Sequence, residues 1–296
     1  METRLLVLEN AQQRLRLVPE LGGGIASWDW KPAAGEQALL RAWDGVSDDR
    51  YTLACFPLLP WSNRITQGGF AHHGVHHPIR NNRHGEPYPI HGDGWLQPWH
   101  VLESDGGSAV LGLSSRRFDG NPYEYDAEQG FELLPEGLRV SLKVTHRGRT
   151  ALPYGLGLHP YFVCNSSTRL QARSSGVWLS GEDAIPITYS TGLPVGWDFN
   201  EPAAVCGGGL IDNCFSGWDG VMRVAYPDSG LGVLMRVAPV SGYSLLYRPA
   251  GGGFFCFEPI SHPIDAFHVK AKPGLVSLRN GESLRMLVSF SVSVFG

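Results

Sequence analysis

The chain reads as an all-β protein, a large antiparallel β-sandwich, and three observations carry that reading. Apolar and polar residues alternate with a period of two in several runs. Turn chemistry recurs along the whole length, with 38 Gly and 21 Pro among 296 residues. No stretch of convincing length carries the apolar repeat of a helix. With 43% apolar and 18% charged residues, such a chain can bury a large core and is not disordered. Gly207-Gly208-Gly209 and Gly251-Gly252-Gly253 are too short to separate domains, so residues 1–296 read as one domain.

The first plain element is a hairpin over about residues 131–145. Leu138, Val140, Leu142 and Val144 alternate with Arg139, Ser141, Lys143 and Thr145, which turns one face inward and the other to water. Phe131 to Leu134 forms the partner strand, and Pro135-Glu136-Gly137 supplies the turn, proline fixing φ and glycine allowing φ above zero. A second hairpin runs from Met222, Val224 and Tyr226 through Pro227-Asp228-Ser229-Gly230 to Leu231, Val233, Met235 and Val237. Phe254 to Phe257 is continuously apolar and reads as a buried strand. Met286, Val288, Phe290, Val292 and Val294 alternate with Leu287, Ser289, Ser291 and Ser293, so the last segment lies inside a sheet.

A formal charge of -4 without any basic run gives no footprint for nucleic acid or an anionic membrane, and a small neutral ligand is the natural partner. The apolar stretch near Met1 is too short for a signal peptide and no segment is long enough to span a bilayer, so a cytoplasmic location is expected. Cys55, Cys164, Cys206, Cys214 and Cys256 are odd in number and show no CxxC spacing. They are expected to be reduced core thiols.

Glu258 is the most informative residue, because its carboxylate follows the apolar run Phe254 to Phe257. Desolvation raises a carboxyl pKa and donated hydrogen bonds lower it, and that balance yields either a tuned base or a structural ion pair. His159, between Leu158 and Pro160-Tyr161-Phe162, needs a partner if buried, as a catalytic group or as a satisfied core histidine. Asn63-Arg64 follows a proline-braced apolar run and can hold the hydroxyls of a polyol or clamp a loop. His91 lies in the glycine-rich turn His91-Gly92-Asp93-Gly94 beside Trp95, where the backbone can approach a ligand and an aromatic can stack on a sugar. Asp212, in Ile211-Asp212-Asn213-Cys214-Phe215, reads as a ligand contact or an Asx-turn, and alone the turn is favoured.

His72-His73-Gly74-Val75-His76-His77 resembles a metal site in composition only. In one extended segment His72 and His76 face one side and His73 and His77 the other, so solvated histidines are expected and no metal is assigned.

Taken in order, Asn63-Arg64, His91, His159, Asp212 and Glu258, with Pro19-Glu20-Leu21-Gly22-Gly23-Gly24-Ile25 before them, resemble the aldose 1-epimerase family, or galactose mutarotases, nearly end to end. Gly157-Leu158 before His159, and Pro259-Ile260-Ser261-His262-Pro263 after Glu258, resemble a bacterial subgroup of it. The resemblance implies a galactose mutarotase-like supersandwich with a sugar groove across one sheet. It further implies Glu258 as general base on the anomeric hydroxyl, His159 as general acid toward the ring oxygen, and Asn63, Arg64, His91 and Asp212 as sugar contacts. The substrate is then an aldose such as glucose or galactose, with no cofactor, in a monomer or homodimer. A hexose-6-phosphate 1-epimerase is the nearer rival, needing a phosphate clamp such as Arg80 with Arg83 or Arg116 with Arg117. A non-catalytic sugar-binding protein on the same fold is the alternative from another class. A glycosidase ranks third, since only Asp212 could serve as the second carboxylate.

Overall fold

The alternating segments at Gly137–His146 and Ser283–Val294 form the middle of a nine-stranded antiparallel sheet in the computed structural model, which describes residues 4–31 and 35–294. On one side Ser283–Val294 pairs with Leu231–Ala238, which pairs with Val221–Tyr226; on the other Gly137–His146 pairs with Glu124–Leu134, then Ser108–Arg116 and the edge strand His100–Ser104. Both expected hairpins are present. Leu134 opposes Gly137 across the first turn, and Tyr226 opposes Leu231 across the second, where Gly230 takes the positive φ of 65° that closes the turn.

An eight-stranded sheet lies against the first. Its central path runs Gly176–Ser180, Ile211–Ser216, Tyr243–Arg248, Phe254–Ile260, Gly157–Leu158 and Pro57–Leu58, with Tyr161–Val163 also pairing to Phe254–Ile260. Val140, Leu142, Val288 and Phe290 from the larger sheet and Ile211, Phe215, Leu246, Phe255 and Phe257 from the smaller belong to one continuous buried cluster, as a two-layer sandwich requires. A four-stranded sheet of Leu6–Glu9, Gln13–Val18, Gly24–Trp30 and Gln37–Ala38 adds Leu15, Leu17 and Trp28 to that cluster. Among the described residues the helical elements are 3-10 turns of three residues, and no helix is long and apolar enough to cross a membrane.

Two expectations are corrected. Cys164 and Cys206 form a disulfide, 42 residues apart in sequence, while Cys55, Cys214 and Cys256 are buried and free. Their pairing is a product of tertiary folding and has no local spacing to announce it. The histidine run is not one extended segment: Gly69–His72 and Val75–Pro78 form a tight hairpin, with positive φ at His73 (48°) and Gly74 (77°) as a type I′ turn demands. His72 opposes Val75 and Phe70 opposes His77, so His72 and His77 share a face and His76 takes the other. His73 and His76 are exposed, His72 pairs with Ser277 Oγ at 3.1 Å, and His77 stacks on Phe70.

Candidate active site

The site lies on the face of the eight-stranded sheet turned away from the shared core. Along Phe254–Ile260, Phe255 and Phe257 point into the core, so the period of two sends Cys256 and Glu258 to the opposite face. Glu258 opposes Leu245 and Leu245 opposes Cys214; one rung along, Cys256 opposes Tyr247 and Tyr247 opposes Asp212. That register brings Asp212 onto the same face as Glu258, two strands away. Asp212 is therefore a ladder residue of Ile211–Ser216, and the Asx-turn expectation is corrected.

His159 follows the short strand Gly157–Leu158 and is tied back by its backbone N–H, which donates to the Phe56 carbonyl at 3.0 Å. Its ring packs against both Phe56 and Tyr161, with centroids 4.6 and 4.7 Å away, and its Nε2 comes to 3.2 Å from Glu258 Oε1. Glu258 is 1% exposed and His159 4%. Burial pushes the Glu258 carboxyl well above the usual carboxylate range, nearby Asp212 adds to this and Arg64 opposes it. Burial lowers His159 to about 3. In both groups burial disfavours the charged form. Glu258 Oε2 and His159 Nδ1 are buried without hydrogen-bond partners.

Beside them, with the His91 ring edge-on to that of His159 at 5.3 Å, two residues adopt the left-handed region that side chains rarely enter, Asn63 at φ 55° and His91 at φ 61°. They lock each other: His91 N–H donates to the Asn63 carbonyl at 3.0 Å and Asn63 N–H donates to His91 Nδ1 at 3.1 Å. Gly92, at φ 69°, follows so closely on Leu59 that a Cβ there would strike the Leu59 carbonyl. Burial keeps His91 neutral, and with Nδ1 accepting, the ring proton sits on Nε2. Arg64 donates through Nε to Glu86 Oε2 at 2.9 Å and through Nη1 to Asn63 Oδ1 at 3.3 Å, and Nη1 stands 3.6 Å from Asp212 Oδ2.

Asn63, Arg64, His91, His159, Asp212 and Glu258 all line one cavity of about 440 Å³. Arg41, Tyr51, Glu86, Tyr161 and Tyr247 line it too, and sequence reasoning did not single them out as site residues. Arg41 donates to the Tyr51 carbonyl and lies 3.9 Å from the centroid of the Tyr161 ring. An arginine directly after Leu39-Leu40 is the one signal that could have marked it. The arginines considered as a phosphate clamp are absent from the cavity lining: Arg83 is paired with Asp49 at 3.0 Å, Arg116 with Asp126 at 2.6 Å, and exposed Arg80 and Arg117 stand 3.9 Å from Asp119 and Glu124.

Residues 4–291 match the family model for aldose 1-epimerase. The chain belongs to the aldose 1-epimerase family. This epimerase-family chain is 33% identical over 279 residues to an uncharacterized Escherichia coli K12 protein, YphB, covering 91% of this chain and 93% of that protein. It superposes with a TM-score of 0.92, at 31% identity and over 99% of both chains, on a crystal structure from Escherichia coli K12 described provisionally as an aldose 1-epimerase. The fold also matches a Caenorhabditis elegans homologue of GalM/aldose epimerase, with a TM-score of 0.84 at 16% identity over 99% of each chain. The architecture is the galactose mutarotase-like sandwich.

Proposed function

We propose that the protein is an aldose 1-epimerase that interconverts the α and β anomers of a free hexose such as glucose or galactose. The observation that carries this reading is the buried contact of Glu258 with His159, 3.2 Å apart on the wall of a cavity that Asn63, Arg64, His91 and Asp212 also line. Anomer exchange requires a proton to leave the C1 hydroxyl while another reaches the ring oxygen. In the reactive arrangement Glu258 is the carboxylate and His159 the imidazolium, paired across their 3.2 Å contact. The Arg64 charge favours the Glu258 carboxylate, and hydrogen bonds from sugar hydroxyls add to that.

Glu258 takes the proton from O1, the C1–O5 bond breaks as O1 becomes the aldehyde oxygen, and the electron pair released on O5 takes the proton from His159. Rotation about C1–C2 then presents the other face of the aldehyde. Reclosure runs the steps backward: O5 attacks C1 and returns its proton to His159, while O1 recovers its proton from Glu258. Each proton transfer contributes about 10²–10⁴-fold, and holding both groups on one substrate adds to that. The Arg64 guanidinium, the Nε2–H of His91, Asn63 and Asp212 supply the donors and acceptors that hold the ring hydroxyls.

An uncharged sugar suits the lining best. Glu86, Asp212 and Glu258 contribute carboxylates, and both lining arginines are already engaged, Arg64 by carboxylates and Arg41 by backbone carbonyls and aromatic faces. Freshly dissolved single anomers of glucose, galactose and glucose 6-phosphate, followed by polarimetry or NMR, test this reading. Acceleration of the free hexoses well beyond the phosphorylated one is the expected result; a protein that binds hexose without accelerating exchange would leave a sugar-binding module.

A further inference from the structure

We infer that Tyr51 is a further substrate contact, a fixed phenol whose hydroxyl bonds one hydroxyl of the sugar and sets which aldoses the site accepts; this rests on the sugar-site reading above. Asp49 does the fixing. Its Oδ1 accepts from Tyr51 N–H at 3.0 Å at the start of the 3-10 turn Arg50–Thr52, and its two oxygens hold the Arg83 guanidinium at 3.0 and 3.2 Å. That grip lays Arg83 over the Tyr51 ring, 3.8 Å from its centroid. Phe56 and Trp95 pack against the ring at 5.5 and 5.4 Å, and the two site histidines stand 6.1 Å (His91) and 5.9 Å (His159) from it. The Tyr51 carbonyl is itself taken by Arg41.

A phenol locked this way has one polar atom to offer, and that atom is buried without a partner. Buried tyrosine hydroxyls ordinarily find one. Tyr51 lines the catalytic cavity together with Arg64, Glu86 and Glu258, and Arg83 covers its ring. Burial holds the phenol protonated, so it donates as well as accepts, which matches what a sugar hydroxyl needs. A site that buries such a group without satisfying it discriminates against substrates that lack the matching hydroxyl, because they leave it unpaired.

Tyr51→Phe removes one oxygen and leaves the ring under Arg83, so the fold and the packing around both histidines persist. Glucose and galactose, with their 2-, 3-, 4- and 6-deoxy derivatives, are titrated calorimetrically into wild type and variant. We expect the variant to bind the better parent hexose about tenfold more weakly, and to bind one deoxy derivative as well as wild type does. Equal binding of the parent by both proteins overturns the inference, and so does a loss shared by every derivative, which marks a structural role. Anomer exchange by wild type is measured separately: binding without exchange sinks the epimerase reading and leaves this one standing, whereas no binding of any hexose sinks both.

Discussion

The backbone N–H of Asn63 donates to Nδ1 of His91 at 3.1 Å, and that bond decides what the imidazole offers the cavity. With Nδ1 occupied as an acceptor and the ring kept neutral by burial, His91 presents an Nε2–H donor. His91→Asn tolerates the positive φ but cannot reach as far, so the turn survives while the donor is lost. KM for the hexose is expected to rise about tenfold with kcat much less affected, as for a contact made in ground and transition states alike. Steady-state anomer exchange with circular dichroism checks this, and an unchanged KM contradicts it.

Arg64 is held by Glu86 at 2.9 Å on one side and faces Asp212 at 3.6 Å on the other, which fixes the plane of its guanidinium. Arg64→Ala should raise KM about tenfold or more with the fold intact, and Arg64→Lys should recover little, because an ammonium cannot serve several partners in one plane. Glu86→Gln keeps the shape and weakens the orienting bond, so a smaller rise in KM is expected. Rescue of KM by lysine would show that only charge matters there.

Stability should fall on acidification. Buried His262 accepts from Ser62 N–H through Nε2 at 3.1 Å, with Nδ1 2.9 Å from the Pro263 carbonyl, and burial lowers it to about 4. Burial lowers His91 as well. A histidine lowered in the fold contributes its full stability above the unfolded value near 6.5 and loses it as pH falls from there toward the folded value. Each such residue costs about 1.4 kcal/mol per pH unit within that window. Thermal melts from pH 7 to 4.5 should show Tm dropping below about pH 6, with a shallower slope in His262→Gln. A flat profile in wild type would refute the assignment.

Glu258 carries the opposite sign. Its carboxyl is raised in the fold, so its contribution is fully present below the ordinary carboxylate value and is lost as pH climbs through the raised one. Glu258→Gln removes the buried acid and keeps its shape. The variant should match or exceed wild type in Tm at pH 8, by a margin that grows with pH. A variant less stable than wild type at pH 8 would mean that the carboxylate is satisfied in the fold.

The strands were legible wherever one face is wet. Gly137–His146 and Ser283–Val294 alternate because they line the core on one side only, and the same period, applied from Phe255 and Phe257, sends Glu258 outward. Asp212 was harder: Asp-Asn is turn chemistry locally, and only the ladder opposite Tyr247 holds it in a strand. Tyr51 and Glu86 carried no local signal, since Tyr51 acquires its setting from His91 and His159, and Glu86 from Arg64, 22 residues away. The Cys164–Cys206 bond was invisible for the same reason, as its partners lie 42 residues apart, whereas the hairpin at His73-Gly74 is local but lacks the Asn-Gly or Asp-Gly signature that marks such a turn.

The most direct test is the rate at which a pure α-anomer of the accepted hexose equilibrates with Glu258→Gln and His159→Asn, read by NMR on proteins shown to be folded by circular dichroism. Each change nearly preserves shape, so sugar binding should persist while kcat falls by about 10²–10⁴-fold, the range for losing one general acid or base. Because the two groups act at the two ends of one bond-breaking event, the double variant should fall far short of the product of the single losses. If either single variant equilibrates the anomer at close to the wild-type rate, that residue is neither acid nor base and the proposed chemistry is wrong.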